Sequence, residues 1–559
     1  MKNKSLVEEG QYDPPLQAKS RADEPPSPGK EMHLPQEAPS LTEVQAHMDD
    51  RISLRAALLL AGAFGAVNFL IHFFASLWGS HLGYGFYRDE FYYLVCGHHL
   101  TWGYVDHPPL VALQARLAEI LFGVSPTGVR IFSFMAGSIT IGLTGLLTWQ
   151  LGGKRNAQML AMTALMSGPL FLGVTNFLSM NAFEPCFWMG ALFIVLRVAE
   201  GSAKPHAWLL FGLLAGMGIE NKHSTVFFLI ALLLGLLLSP QRRILLSGFC
   251  LAGVGIVILI ALPNLLWQWN NHFPTYQFLH RVQQSDKTVR LSVPLFLYDQ
   301  VKVLLYSTCP LWIGGIIWFA FSPKARNWRF VAFLYLIFLG MMIGMQAKYY
   351  YLAPIYPVLF AAGAVAFADI VKRPRWVNTY TVVLALSMVF TAPITLTILP
   401  PDRYNALTGI FTPDSVRMEK YTSPLPEVLS DRFGWPEMVQ GFAARYNALP
   451  PEIRSGTAIF CHDYGEAGAV DILGPRYGLP AAISGHESFY FWGWNGYTGD
   501  SVLTLGNNRD EFTKDYAEVI DLGAFDPAWA MDRLHEHYFW LRHRKQPFAA
   551  DWEQLKFWF

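Results

Sequence analysis

From Leu54 onward the chain alternates long apolar stretches with short polar breaks, and a bilayer-spanning helix needs about 20 such residues. The stretches run Leu54 to Trp78, Ile131 to Leu151, Ala157 to Leu178, Ala182 to Val198, Ile244 to Trp267, Val301 to Phe321, Phe330 to Met345, Tyr349 to Phe367 and Val377 to Leu399. A further segment, Ala207 to Leu238, is apolar except for Glu220, Asn221, Lys222 and His223 at its middle. At about 1.5 Å per residue it reaches ~48 Å, short for two full spans. Lys204 before it and Arg242 with Arg243 after it put both flanks on one side, which predicts a hairpin of two short helices. The expectation is a mainly α, polytopic membrane protein with about 11 transmembrane helices over residues 52–399.

Charge then orients the chain. With the amino terminus inside, the short inner loops carry Lys154 and Arg155; Arg197 and Lys204; Arg242 and Arg243; Lys324, Arg326 and Arg329; and Lys372, Arg373 and Arg375. Each is basic, as cytoplasmic loops are. An odd number of spans puts residues 400–559 outside the inner (plasma) membrane, and their short apolar runs, such as Thr457 to Cys461 and Ala481 to Ser484, predict a small soluble α/β extracytoplasmic domain. Residues 1–51, rich in proline and charge, read as a disordered cytoplasmic tail.

Composition narrows the function classes. Of 559 residues, 52% are hydrophobic and 15% charged, which excludes a water-soluble globule. Lys plus Arg and Asp plus Glu number 42 each, so the basic surplus of a nucleic-acid partner is missing. Cys96, Cys186, Cys250, Cys309 and Cys461 form no CxxC, and neither a zinc site nor a disulfide framework follows from their spacing.

The candidate chemistry begins in the outer loop 79–130, which holds Tyr87-Arg88-Asp89-Glu90-Phe91-Tyr92-Tyr93 and then Gly103-Tyr104-Val105-Asp106-His107-Pro108-Pro109-Leu110. Carboxylates just beyond a membrane helix suit proton removal from a hydroxyl nucleophile or cation binding, and aromatic neighbours exclude water. The paired prolines present His107 from a stiff backbone. The blander reading makes Asp89 and Glu90 solvated loop charges.

A long apolar first helix, this pair of loop motifs and many later spans resemble the family 39 glycosyltransferases, the dolichyl-phosphate-mannose protein mannosyltransferases and aminoarabinose transferases of the GT-C fold. The resemblance covers roughly residues 54–370. It implies transfer of a sugar from a polyprenyl-phosphate donor to a glycan, lipid or protein acceptor on the outer face, with inversion at the sugar carbon. It also implies that Asp89 is the general base or the carboxylate that orients the acceptor, and that Glu90 is a support or second acidic group. Where many relatives have a phosphate-facing lysine before the paired prolines, this chain has His107, beside Asp106.

A departing polyprenyl phosphate needs cationic partners. Arg88, Lys222 and Lys348 are candidates near the outer membrane boundary, and the resemblance puts Lys348 and Tyr350 on the donor side. Lys222 reads alternatively as an ion pair with Glu220, and Lys348 with Tyr349 to Tyr351 as an interfacial anchor. The loop Gln268 to Gln300 adds His280, Arg281, Lys287 and Arg290, which suit folding over the lipid or plain surface charge. The resemblance offers Glu184 as the counterpart of an acidic residue in the cavity, with a plain packing role as the alternative.

In the outer domain, His462 to Glu466 and Ser484 to Asn495 offer aromatics for a sugar ring, or a domain core. No metal site is assigned from His535, His537 or His543, although a divalent cation beside Asp89 stays open as a cofactor. The rival class is a transporter or flippase for lipid-linked glycans, or a catalytically silent binder of them. A carrier wants polar residues near the midplane of several helices, whereas here they crowd at outer helix ends.

Overall fold

The computed structural model describes residues 52–284, 291–408 and 423–558. The expected tail over residues 1–51 lies outside the described residues, as do Lys287 and Arg290. Arg51–Phe559 is one compact unit.

Every apolar stretch read from the sequence forms helix, but fewer of them than eleven are continuous. Among the described residues, six helices are long and apolar enough to cross a membrane, α1 (Leu54–His81) being one, and two bent pairs raise the number to eight at most. Breaks account for the difference from about 11. One stretch stops at Ser167 and restarts at Pro169, because proline withholds a backbone donor and disfavours helix in the residue before it. Val293–Val303 turns by 90° into Tyr306–Phe321.

After α1 the chain does not run as an open loop. It forms α2 (Arg88–His98) and a second helix, Leu110–Phe122, before α3 (Pro126–Gln150) returns against α1. Next come α4 (Met180–Glu200), α5 (Ala207–Asn221) and α6 (Ser224–Leu237). The predicted break between the last two is present, with Lys222 extended at φ −160° and ψ 131°. Close approach between membrane helices relies on glycine: a Cβ on Gly363 would sit 1.8 Å from the Leu311 carbonyl oxygen, so the helices Cys309–Phe321 and Tyr356–Val371 touch backbone to backbone.

The C-terminal part is α/β as expected. Strands β1 (Thr457–Ile459), β2 (Ser501–Gly506), β3 (Tyr516–Phe525) and β4 (Glu536–Arg544) lie in the order β1-β2-β4-β3, with β1 parallel to β2 and the other pairs antiparallel. Val502 and Val519 both sit opposite Leu541, so one apolar row crosses three strands. Between β1 and β2 runs α7 (Tyr464–Leu473), which packs on α2. The two segments share a core in which Phe91, Tyr92 and Leu94 meet Trp435, Met438, Ala467 and Leu503. The C-terminal part is thus built onto the first outer loop through common apolar burial, which fixes their mutual geometry.

Candidate active site

The start of α2 explains how two adjacent carboxylates acquire opposite surroundings. Glu90 is wholly buried and accepts from Arg130 Nε and Nη2 at 2.7 Å each, and from the backbone N–H groups of Tyr87 and Leu178 at 2.8 Å. Four donors use the carboxylate's accepting capacity, and the bond to Tyr87 caps the helix. Glu90 does not line the cavity described next; it anchors the turn that aims Asp89. A helix rotates about 100° per residue, so the neighbour of a buried side chain readily faces elsewhere.

Asp89 opens into a cavity of about 2000 Å³ between helix ends of the membrane part and the C-terminal part. Its Oδ1 accepts from the Tyr464 hydroxyl at 2.7 Å and lies 3.6 Å from Arg88 Nε. Arg88 also meets Asp431 at 3.5 Å and Asp463 at 3.8 Å, and its guanidinium stands 5.1 Å over the Tyr464 ring. Arg533 approaches the same two aspartates, pairing with Asp431 and standing 3.7 Å from Asp463. The positive charge expected of Arg88 toward a donor phosphate is therefore shared among three carboxylates.

Asp106 also faces the cavity, and its Oδ1 accepts from the Tyr92 hydroxyl at 2.9 Å. His107, its neighbour, does not line the cavity. The ring is fully buried among Tyr92, Tyr93 and Tyr104, with Nδ1 2.8 Å from the Pro108 carbonyl. The donor-phosphate contact implied when His107 is aligned with the lysine of relatives is not prepared by this buried ring, whose Nε2 lies 3.8 Å from Asp106.

On the opposite wall the break between α5 and α6 delivers Lys222. Its ammonium donates to Asn181 Oδ1 at 2.7 Å and to Glu184 Oε2 at 3.1 Å, and stands 4.3 Å over the Tyr351 ring. The pair is thus with Glu184 and not with Glu220; Ser224 donates to the second Glu184 oxygen. Tyr350 lies 5.8 Å from the same ammonium and lines the cavity that Asp89 faces. Lys348 lines the cavity and has no ion-pair partner among the described residues. Lys348 and the paired Lys222 stand beside apolar helices, a combination that suits a lipid phosphate.

The C-terminal wall is rich in acid groups whose burial shifts them upward. Burial pushes Glu487 and Glu536 to about 7 and holds Asp431 well above the usual carboxylate range, against the pull of Arg88. His462 is pushed down to about 4 by burial, with His486 adding to the effect. The sequence runs around His462 and Ser484 were legible as candidates, whereas Asp431 and Arg533 carried no local signal. No group of three His, Cys, Asp or Glu side chains gathers with metal-holding geometry among the described residues.

Residues 106–267 match the family model described as dolichyl-phosphate-mannose-protein mannosyltransferase. Among curated proteins, the undecaprenyl phosphate-alpha-4-amino-4-deoxy-L-arabinose arabinosyl transferase of Pseudomonas paraeruginosa is 26% identical over 174 residues, which is 30% of this chain and 32% of that relative. Its counterpart in Pseudomonas aeruginosa matches to the same extent. The matched part is therefore about a third of the relatives' length. The crystal structure of ArnT from Cupriavidus metallidurans bound to undecaprenyl phosphate superposes with a TM-score of 0.57 at 14% identity, over 86% of this chain and 97% of that one. Its apo form gives 0.53 over the same shares. The resemblance read from the outer-loop motifs is borne out: the chain has the GT-C fold, and its segment 106–267 is similar to the dolichyl-phosphate-mannose-protein mannosyltransferases.

Proposed function

We propose that the protein is a membrane glycosyltransferase that moves a sugar from a polyprenyl-phosphate donor to an acceptor at the outer face of the inner membrane, with inversion. The observation that carries this reading is one cavity holding the Asp89 carboxylate on one wall and Lys222 and Lys348 on the other. The matched relatives and the lipid named with the ArnT structure support the donor class.

The chemistry follows from those two walls. An acceptor hydroxyl gives its proton to Asp89 as its oxygen bonds to the anomeric carbon. The bond from that carbon to the phosphate oxygen breaks on the opposite side, and its electron pair leaves with the polyprenyl phosphate. Lys348 and Lys222 offset the charge growing there, while the Tyr350 and Tyr351 rings limit water. Attack opposite to the leaving group inverts the sugar carbon. Glu90 contributes by holding the α2 turn through Arg130, and Glu184 by orienting Lys222. The C-terminal part lies on the acceptor side of this reading, with the acceptor a glycan, a lipid or a protein.

The test is release of free polyprenyl phosphate, followed by mass spectrometry, from a panel of polyprenyl-phosphate sugars and crude envelope acceptors. Wild type is expected to release it and Asp89→Asn to be silent. Lipid binding without release by wild type would move the protein to the transporter or silent-binder class.

A further inference from the structure

We infer that Tyr464, from the C-terminal part, is a positioning residue for Asp89, so that the reacting centre is complete only when that part is docked on the first outer loop. The inference rests on the reading of Asp89 as the base.

Three observations converge on this tyrosine. Its hydroxyl donates to Asp89 Oδ1 at 2.7 Å across 375 residues of sequence. Its own placement is fixed from several sides. The backbone N–H donates to His486 Nδ1 at 3.1 Å, the Tyr92 and His486 rings each lie 5.0 Å away, and Arg88 covers its face. Tyr464 also lines the cavity, so its bond to Asp89 is made where substrate reacts.

The neighbouring residue shows how tightly the two segments are fitted. A Cβ on Gly465 would come 2.3 Å from Arg88 Cγ, so no larger residue lets α7 reach α2. Burial keeps the Tyr464 phenol protonated throughout the working pH range, and it acts as a constant donor. A donor on a carboxylate stabilises its charged form and selects one orientation of its oxygens.

Among the described residues, the charged and titratable groups around Asp89 include Arg88, Tyr87 and Tyr93 from its own segment, Tyr350 from the membrane helices, and Tyr464, Asp431 and Asp463 from the C-terminal part. Of these, Tyr464 donates its hydroxyl to Asp89, and that hydroxyl can be removed without altering a formal charge.

The experiment measures kcat and donor KM against pH for the full-length protein in detergent or nanodiscs, comparing wild type with Tyr464→Phe. The expected result is a kcat lowered about 10- to 100-fold, little change in donor KM, and an acidic limb moved up by about one pH unit. Site-specific 3-fluorotyrosine at position 464 keeps the ring, strengthens the donor and moves the same limb downward; it serves if Tyr464→Phe does not fold. Acidic limbs that coincide in all three proteins overturn the positioning role while the transferase reading stands. Absence of transfer by wild type with every donor overturns both.

Discussion

On the wall of the cavity built by membrane helices, charge is sparse: Lys222 meets Glu184 and Asn181, and Lys348 has no ion-pair partner among the described residues. On the facing wall, where α2 meets the C-terminal part, Arg88 and Arg533 are interleaved with Asp89, Asp431 and Asp463, and Glu487 and Glu536 lie close by with proton affinities near neutrality. The difference follows from solvent. In a bilayer each ion is expensive and persists only with a partner or a ligand to serve. Outside it, a buried network of both signs is tolerated when its members satisfy one another. The first wall suits a lipid phosphate, and the second suits proton movement at the acceptor.

The sharpest way to break this contrast is at the two adjacent carboxylates. Asp89→Asn keeps shape and removes basicity, so turnover is expected to fall by at least about 100-fold with the melting temperature little changed; calorimetry beside the release assay checks both. Glu90→Ala is expected to do the reverse kind of damage. It strands Arg130 in a buried site, a loss of about 3–5 kcal/mol, and is read as poor membrane yield and early unfolding. An E90A protein that folds normally but lacks turnover would reverse the assignment.

The cationic wall separates more gently. Lys348→Ala is expected to raise donor KM by about tenfold without loss of stability, since Lys348 supports no carboxylate among the described residues. Lys222→Ala is expected to raise donor KM and also to destabilise, because Glu184 loses its partner. Equal melting temperatures for the two variants would show that the Glu184 pair matters little.

The smallest expected effect is the pH dependence of stability. Glu487 and Glu536 have ordinary values near 4.5 unfolded and about 7 folded, so the folded form holds their protons longer. Their contribution is present below about 4.5 and lost as pH rises through 7. His462 works in the other direction: about 6.5 unfolded and 4 folded, its contribution is lost as pH falls through that window. Thermal melts from pH 4 to 9 are expected to show Glu536→Gln retaining more stability than wild type above pH 7. Parallel curves for the two proteins would place the titration elsewhere.

Much of this arrangement was legible before the fold. Asp89, Asp106, Glu184, Lys222, Lys348 and Tyr350 sit within or at the ends of apolar stretches, where a polar residue is conspicuous, and all but Glu184 line the cavity. Glu90 and His107 were equally conspicuous but turned inward, since residue type does not state which side of a helix or loop faces the core. Tyr464 could be picked out only as part of an aromatic and acidic run, and Asp431 and Arg533 not at all.

The sequence by itself determined the solvent, the succession of apolar helices, the α/β character of the last part and the outer-loop motifs. These depend on local composition and period, which water and lipid read residue by residue. Tertiary structure decided how many helices run unbroken, which of two neighbouring carboxylates opens to the cavity, and that Tyr464 meets Asp89 across 375 residues. Those outcomes depend on the direction of single side chains and on the close packing of α7 against α2. Such contacts become definite only when distant segments share one core.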